Sequence, residues 1–180
     1  MIFKETYLKG AYVIEVDKIN DERGFFGRLW CKNEFKKHNL NVNIVQSNVS
    51  KSKKKGTLRG MHFQKSPYQE TKLIRCTKGS VYDVIIDLRP DSQTYKKWFG
   101  IELSENNHKM LYVPESFAHG FLTLESNSEV YYLVTQFYNK EFERGLRYND
   151  PEINIQWPKK ILEISEKDNN HLDCSLQDMF

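Results

Sequence analysis

The run TLRGMHFQ at residues 57–64 places an arginine, a histidine and a glutamine among residues that otherwise favour a β-strand. A polar side chain facing the inside of a β-structure costs free energy unless it is paired. The polar residues within strand-like runs are therefore the informative ones: Gln46, Asn48, Arg59, His62, Gln64, Lys72, Arg75, His119 and Tyr132. Their chemistry suits proton transfer. A histidine whose tautomer is set by a carboxylate takes a proton near neutral pH. A lysine stabilises a developing oxyanion, and a tyrosine returns a proton from the opposite side. Any one of these histidines, taken alone, reads as a satisfied core hydrogen bond. Several polar groups on neighbouring strands favour a ligand cavity instead.

Other chemistries fit less well. A metal site wants several His or carboxylate ligands converging. His62 is followed by Phe63 and Gln64, so there is no His-x-His pair, and His119 in PESFAHGF stands alone. Neither a metal nor any other cofactor is expected. The serines sit in loops without a strand-to-helix elbow, which argues against nucleophilic catalysis.

The elements that must position these residues read as mainly β. AYVIEV, NIVQSNVS, TLRGMHF, TKLIRCTKG, SVYDVIIDLR, WFGIEL, KMLYVP, HGFLTLE and EVYYLVTQFY are rich in branched and aromatic residues. Turn formers separate them at 78–80, 89–93, 104–107 and 125–128. This spacing predicts a sandwich or barrel. CKNEFKKHNL is the clearest helix, and a second is expected near 158–166. Alternation puts Val81, Asp83, Ile85 and Asp87 on one face and Tyr82, Val84, Ile86 and Leu88 on the other. Strict pleating would separate Arg59 from His62, and a bulge at Gly60 would reunite them.

The 180 residues suit one domain spanning 1–180. A net charge of +3 is too mild for a nucleic-acid binder and compatible with a groove for a small anion. Three cysteines without paired spacing argue against a disulfide framework. The N-terminus is no signal peptide, and no apolar run reaches the roughly 18 residues of a membrane helix. A cytoplasmic protein without membrane or nucleic-acid partners is expected.

Six stretches in order, DERGFF (21–26), QSNVSKSKKKGTLRGMHFQ (46–64), KLIRCTKGSVYDVIIDLRPDS (72–92), YVPESFAHGFLTL (112–124), EVYYLVT (129–135) and NDPEINIQWP (149–158), resemble the dTDP-4-dehydrorhamnose 3,5-epimerase family. The resemblance implies a cupin jelly-roll fold with a few short peripheral helices. It also implies an isomerase of carbohydrate biosynthesis, acting on a nucleoside-diphosphate 4-keto-6-deoxy sugar without a cofactor. His62 then matches the base, Asp168 its carboxylate partner, Lys72 the group beside the C-4 carbonyl oxygen and Tyr132 the acid. Arg23, Phe26, Arg28, Gln46, Asn48, Arg59, His119 and Tyr138 match substrate contacts. The family is usually a homodimer with an N-terminal strand reaching across. Three positions depart from its usual pattern: Arg28 and Glu70 stand where glutamate and glutamine are usual, and Leu133 replaces a lysine. These departures leave open a GDP- or CDP-linked 4-keto sugar such as a GDP-4-keto-heptose, inversion at one carbon only, or a non-catalytic cupin that binds a sugar nucleotide.

Overall fold

A computed structural model describes residues 1–174 of the chain. The strands are β1 (Ile2–Glu5), β2 (Tyr12–Glu15), β3 (Lys18–Asp21), β4 (Gly24–Gly27), β5 (Gln46–Ser52), β6 (Thr57–Gln64) and β7 (Lys72–Lys78). They continue with β8 (Ser80–Asp87), β9 (Trp98–Ser104), β10 (Met110–Val113), β11 (Phe117–Thr123), β12 (Ser128–Val134), β13 (Glu143–Gly145) and β14 (Glu163–Ile164). Two short helices accompany them, α1 (Lys32–Lys37) and α2 (Glu166–Asn169).

The strands make two facing sheets. The first runs β1-β2-β10-β7-β12-β5 and the second β13-β6-β11-β8-β9, each antiparallel throughout. β14 adds to β6 in parallel, and β3 and β4 form a separate hairpin. One end of the space between the sheets is apolar. Ile74, Cys76, Leu111 and Val130 of the first sheet meet Val81, Ile85, Leu103 and Phe121 of the second. Burying such side chains supplies about 25 cal/mol for each Å² removed from water. Along the same inward faces the residues turn polar toward the other end, at Lys72 on β7 and His119 on β11.

The alternation expected of β8 is observed. Val81 and Ile85 face the first sheet, while Val84 and Ile86 join Met61, Ala118, Leu146, Ile153 and Ile155 beneath the C-terminal segment. β8 is buried on both faces because both are covered, and the face with Val81 and Ile85 also carries the buried Asp83. Helix α1 forms where expected and lays Phe35 against Ile14, Leu73 and Met110 on the outside of the first sheet. Past β8, Asp87 organises the 89–94 turn. It accepts hydrogen bonds from Arg89 Nη2 at 2.7 Å, Ser92 Oγ at 2.6 Å and Thr94 Oγ1 at 2.7 Å, and it is wholly buried.

The helix expected near 158–166 is absent. Pro158 lacks a backbone donor, and Glu163 and Ile164 instead pair with Thr57 and Leu58 of β6. The helix begins later, where Ser165 Oγ caps α2 by accepting the Asp168 N–H. No disulfide links the three cysteines. Among the described residues no helix is long and apolar enough to cross a membrane.

Candidate active site

The polar end is assembled by one irregularity. On β6 and β11, His62 lies opposite His119 and Arg59 opposite Phe121, so three steps on β6 match two on β11. The extra residue is a bulge at Gly60–Met61. Gly60 has φ +127°, and a Cβ there would stand 2.5 Å from the Cα of Gly120. Only glycine tolerates that conformation and that approach. The bulge puts Arg59 and His62 on the same wall, where both line a hollow of about 250 Å³ with Lys72, His119, Tyr132 and Asp168. A second hollow of about 380 Å³ adjoins it, sharing His62, Lys72 and Tyr132 and extending to Gln46, Asn48, Gln64, Glu70, Tyr138 and Glu143.

Strand register explains the opposite wall. Tyr132 of β12 sits between Ile74 of β7 and Asn48 of β5, and Val134 sits between Lys72 and Gln46. All face inward, because residues two apart along a strand share a face. His62 belongs to the second sheet and Tyr132 to the first, so imidazole and phenol line the cavity from facing sheets. Sheets packed face to face lie about 10 Å apart.

His62 Nε2 is 2.8 Å from Asp168 Oδ1, across 106 residues of sequence. Asp168 Oδ2 accepts the Gly60 N–H at 3.1 Å, so the bulge and the carboxylate hold each other. Asp168 is 5% exposed. Burial alone would raise its pKa, but the hydrogen bond and charge of His62, the Gly60 amide and the nearby His171 hold it below the usual carboxylate range. An ionised carboxylate only accepts hydrogen bonds. A neutral His62 ring facing it therefore carries its proton on Nε2, which leaves the free lone pair on Nδ1.

The remaining polar groups are also braced. His119 Nε2 lies 3.0 Å from both oxygens of the buried Asp83. Lys72 Nζ lies 2.7 Å from Glu70 Oε1, with both side chains largely buried. Tyr138 Oη donates to Glu143 Oε2 at 2.9 Å, and Lys167 Nζ donates to Glu143 Oε1 at 2.7 Å. Burial pushes the Glu143 carboxyl up, but its bonds from Lys167 and Tyr138 hold it below the ordinary value. Arg59 donates from Nε to Ser52 Oγ and from Nη2 to the Lys51 carbonyl, which aims its fork along the rim.

Thus His62, Lys72, Tyr132, Asp168, Gln46, Asn48, Arg59, His119 and Tyr138 converge on the two hollows. Arg23, Phe26 and Arg28 do not. Arg23 pairs with Asp21 on the β3–β4 hairpin, and Phe26 on that hairpin is 68% exposed. Arg28 pairs with Glu34 of α1 at 2.9 Å. Glu143, Lys167, Asp83 and His171 were not singled out from sequence. Lys167 adjoins Asp168 and was legible by that adjacency, whereas Glu143 arrives through β13 pairing with β6 and carries no local signal.

A family profile described as dTDP-4-dehydrorhamnose 3,5-epimerase matches residues 5–175. The dTDP-4-dehydrorhamnose 3,5-epimerase of Sinorhizobium fredii is 42% identical over 171 residues, covering 94% of this chain and 88% of that protein. The crystal structure of the enzyme of that name from Elizabethkingia anophelis superposes with TM-score 0.94 at 40% identity, covering 97% of each chain. The Legionella pneumophila dTDP-6-deoxy-D-glucose-3,5-epimerase, solved with dTDP-4-keto-L-rhamnose, superposes with TM-score 0.92 at 34% identity, covering 98% of this chain and 94% of that one. With its cupin jelly-roll sandwich, this chain belongs to the dTDP-4-dehydrorhamnose 3,5-epimerase family.

Proposed function

We propose that the protein is an isomerase that inverts C-3 and C-5 of dTDP-4-dehydro-6-deoxyglucose by removing and returning α-protons. One observation carries this reading: His62, paired with Asp168, and Tyr132 line one cavity from facing sheets, with Lys72 between β12 and β10. In a 4-keto sugar the hydrogens at C-3 and C-5 are both α to the carbonyl. His62 Nδ1 takes one of them, and the electron pair of the broken C–H bond moves onto the C-4 oxygen. Lys72 stabilises that enolate oxygen. Tyr132 then gives its phenolic proton to the opposite face of the same carbon, which inverts it. Solvent reprotonates the tyrosinate and accepts the proton from His62. No redox step occurs, so the scheme asks for no cofactor.

Arg59 suits a diphosphate, since a guanidinium fork matches paired oxygens. Gln46, Asn48 and Tyr138 are assigned to the nucleotide and sugar, and His119, braced by Asp83, to the sugar hydroxyls. The relatives' names favour a dTDP sugar over a GDP- or CDP-linked one. We assign Arg23, Phe26 and Arg28 to the rim of a partner's cavity in a homodimer. Ile19 and Phe26, cross-strand partners on one face of the β3–β4 hairpin, leave it with an exposed apolar patch that supports this placement. Cysteines without a disulfide fit a cytoplasmic setting.

The test is solvent exchange. In D2O, with dTDP-4-dehydro-6-deoxyglucose, mass spectrometry should show uptake of two deuterons, and His62→Ala should take up none. Wild-type exchange in that variant would refute His62 as the base. Uptake from a GDP-4-keto-heptose and not from the dTDP sugar would refute the substrate assignment.

A further inference from the structure

The His62–Asp168 pair has a neighbour that the proposed reaction does not use. His171 Nε2 stands 3.7 Å from Asp168 Oδ1, the oxygen that His62 Nε2 meets at 2.8 Å. That His171 nitrogen is buried and has no hydrogen-bond partner among the described residues. A buried polar atom without a partner is uncommon and asks for an explanation. The two imidazoles stand edge to face with centroids 5.8 Å apart. One ligating atom from each of His62, Asp168 and His171 lies within 4.8 Å of the others.

The arrangement is held from two sides. Asp168 and His171 are three residues apart, at and just beyond the end of α2. The His171 ring packs on Gly145, where a Cβ would come within 2.1 Å of Nε2. Donors bound at about 2.0–2.2 Å around a tetrahedral ion stand roughly 3.3–3.5 Å from one another. The two separations at Asp168 Oδ1 bracket that value, so small side-chain rotations would bring three donors onto one ion. Two imidazoles and one carboxylate suit zinc, copper or nickel better than magnesium or calcium.

We propose that His62, Asp168 and His171 form a site for a divalent transition metal of the zinc class, and that the bound ion inhibits the enzyme. The ion takes the lone pair of His62 Nε2 and one of Asp168 Oδ1, and the proton displaced from Nε2 moves to Nδ1. Nδ1 then has no lone pair for the substrate's proton. The binding half stands on the three-residue geometry alone. The inhibitory half rests on the reading of His62 as the base.

The experiment uses metal-stripped full-length protein. Co²⁺ is titrated and followed by its visible d–d absorption, Zn²⁺ stoichiometry is measured by calorimetry, and deuterium exchange is assayed with Zn²⁺ and again after EDTA. Wild type should bind one equivalent, lose exchange, and recover it with EDTA. His171→Asn and His171→Gln, with melting temperatures checked and each compared with its own metal-free exchange rate, should bind roughly tenfold or more weakly and need correspondingly more Zn²⁺ to lose exchange. Absence of a one-equivalent Co²⁺ spectrum in wild type, or unchanged affinity in both variants, overturns the site. Metal binding that depends on His171 but leaves exchange intact overturns the inhibitory half and counts against His62 as base. A site lost on its own terms, with exchange still abolished in His62→Ala, leaves the epimerase reading standing.

Discussion

Replacing Asp168 with asparagine probes the catalytic reading at its most constrained point. The shape is kept, but two hydrogen bonds must be re-sorted. Gly60 N–H needs an acceptor, so the amide oxygen takes the Oδ2 position and the NH2 group faces His62 Nε2. That arrangement stabilises the tautomer protonated on Nδ1, the nitrogen that has to receive the substrate's proton. The negative charge beside the imidazolium is also lost. At the observed 2.8 Å separation, an effective dielectric near 20 gives about 6 kcal/mol of attraction before desolvation is deducted. Hydrogen bonds to charged groups are worth about 1.5–3 kcal/mol net. Allowing for the wrong tautomer, a loss of about 2–4 kcal/mol is expected, or roughly 30- to 900-fold in the rate of α-proton exchange. The assay is deuterium uptake at saturating substrate, followed by NMR and mass spectrometry, with circular dichroism to confirm folding. A folded variant within about threefold of wild type would show that the carboxylate neither orients nor charges the base, and the dyad would have to be abandoned.

Three further outcomes are expected. Tyr132→Phe should slow formation of inverted product more than it slows initial proton loss, as read by comparing product stereochemistry with deuterium wash-in. Equal slowing of both steps would argue against Tyr132 as the acid. Gly60→Ala forces a Cβ toward the Gly120 Cα at φ +127°, and the strain and crowding should cost about 2–4 kcal/mol. Calorimetry should find a melting temperature lower by roughly 4–16 °C, and an unchanged melt would show that β6 accommodates a side chain there. Burial alone would raise the pKa of Asp87, but its bonds from Arg89, Ser92 and Thr94 hold it below the ordinary value. Its contribution is therefore fully present above the unfolded pKa near 3.9 and is lost as pH falls through the lower folded value. In urea unfolding, Asp87→Asn should be less stable than wild type at pH 7, with a deficit that narrows below about pH 4; a constant deficit would refute this account.

The amino-acid sequence by itself determined strands β2 and β5–β12, the faces of β8 and the chemical types available, whereas β3, β4, β13 and β14 have no such local signal. Two-residue alternation in SVYDVIIDLR and branched residues in TKLIRCTKG are local facts, and local sterics and burial act on them directly. The Gly60 bulge was legible for the same reason, since a glycine inside a strand between an arginine and a histidine has few other uses. The resemblance in LRGMHFQ and PESFAHGF supplied the family. The second helix was misjudged because β6 offered residues 163–164 a strand partner that no local pattern in 158–166 announces. Which groups meet was decided only by tertiary structure. The contact of His62 with Asp168 closes a loop of 106 residues. Tyr132 faces His62 only because β12 and β6 belong to opposed sheets. The Glu70–Lys72 pair, the Glu143 chain and the approach of His171 to Asp168 depend on distances of a few ångströms. Side-chain electrostatics weaken steeply with such distances, and register, bulge and sheet packing set them together.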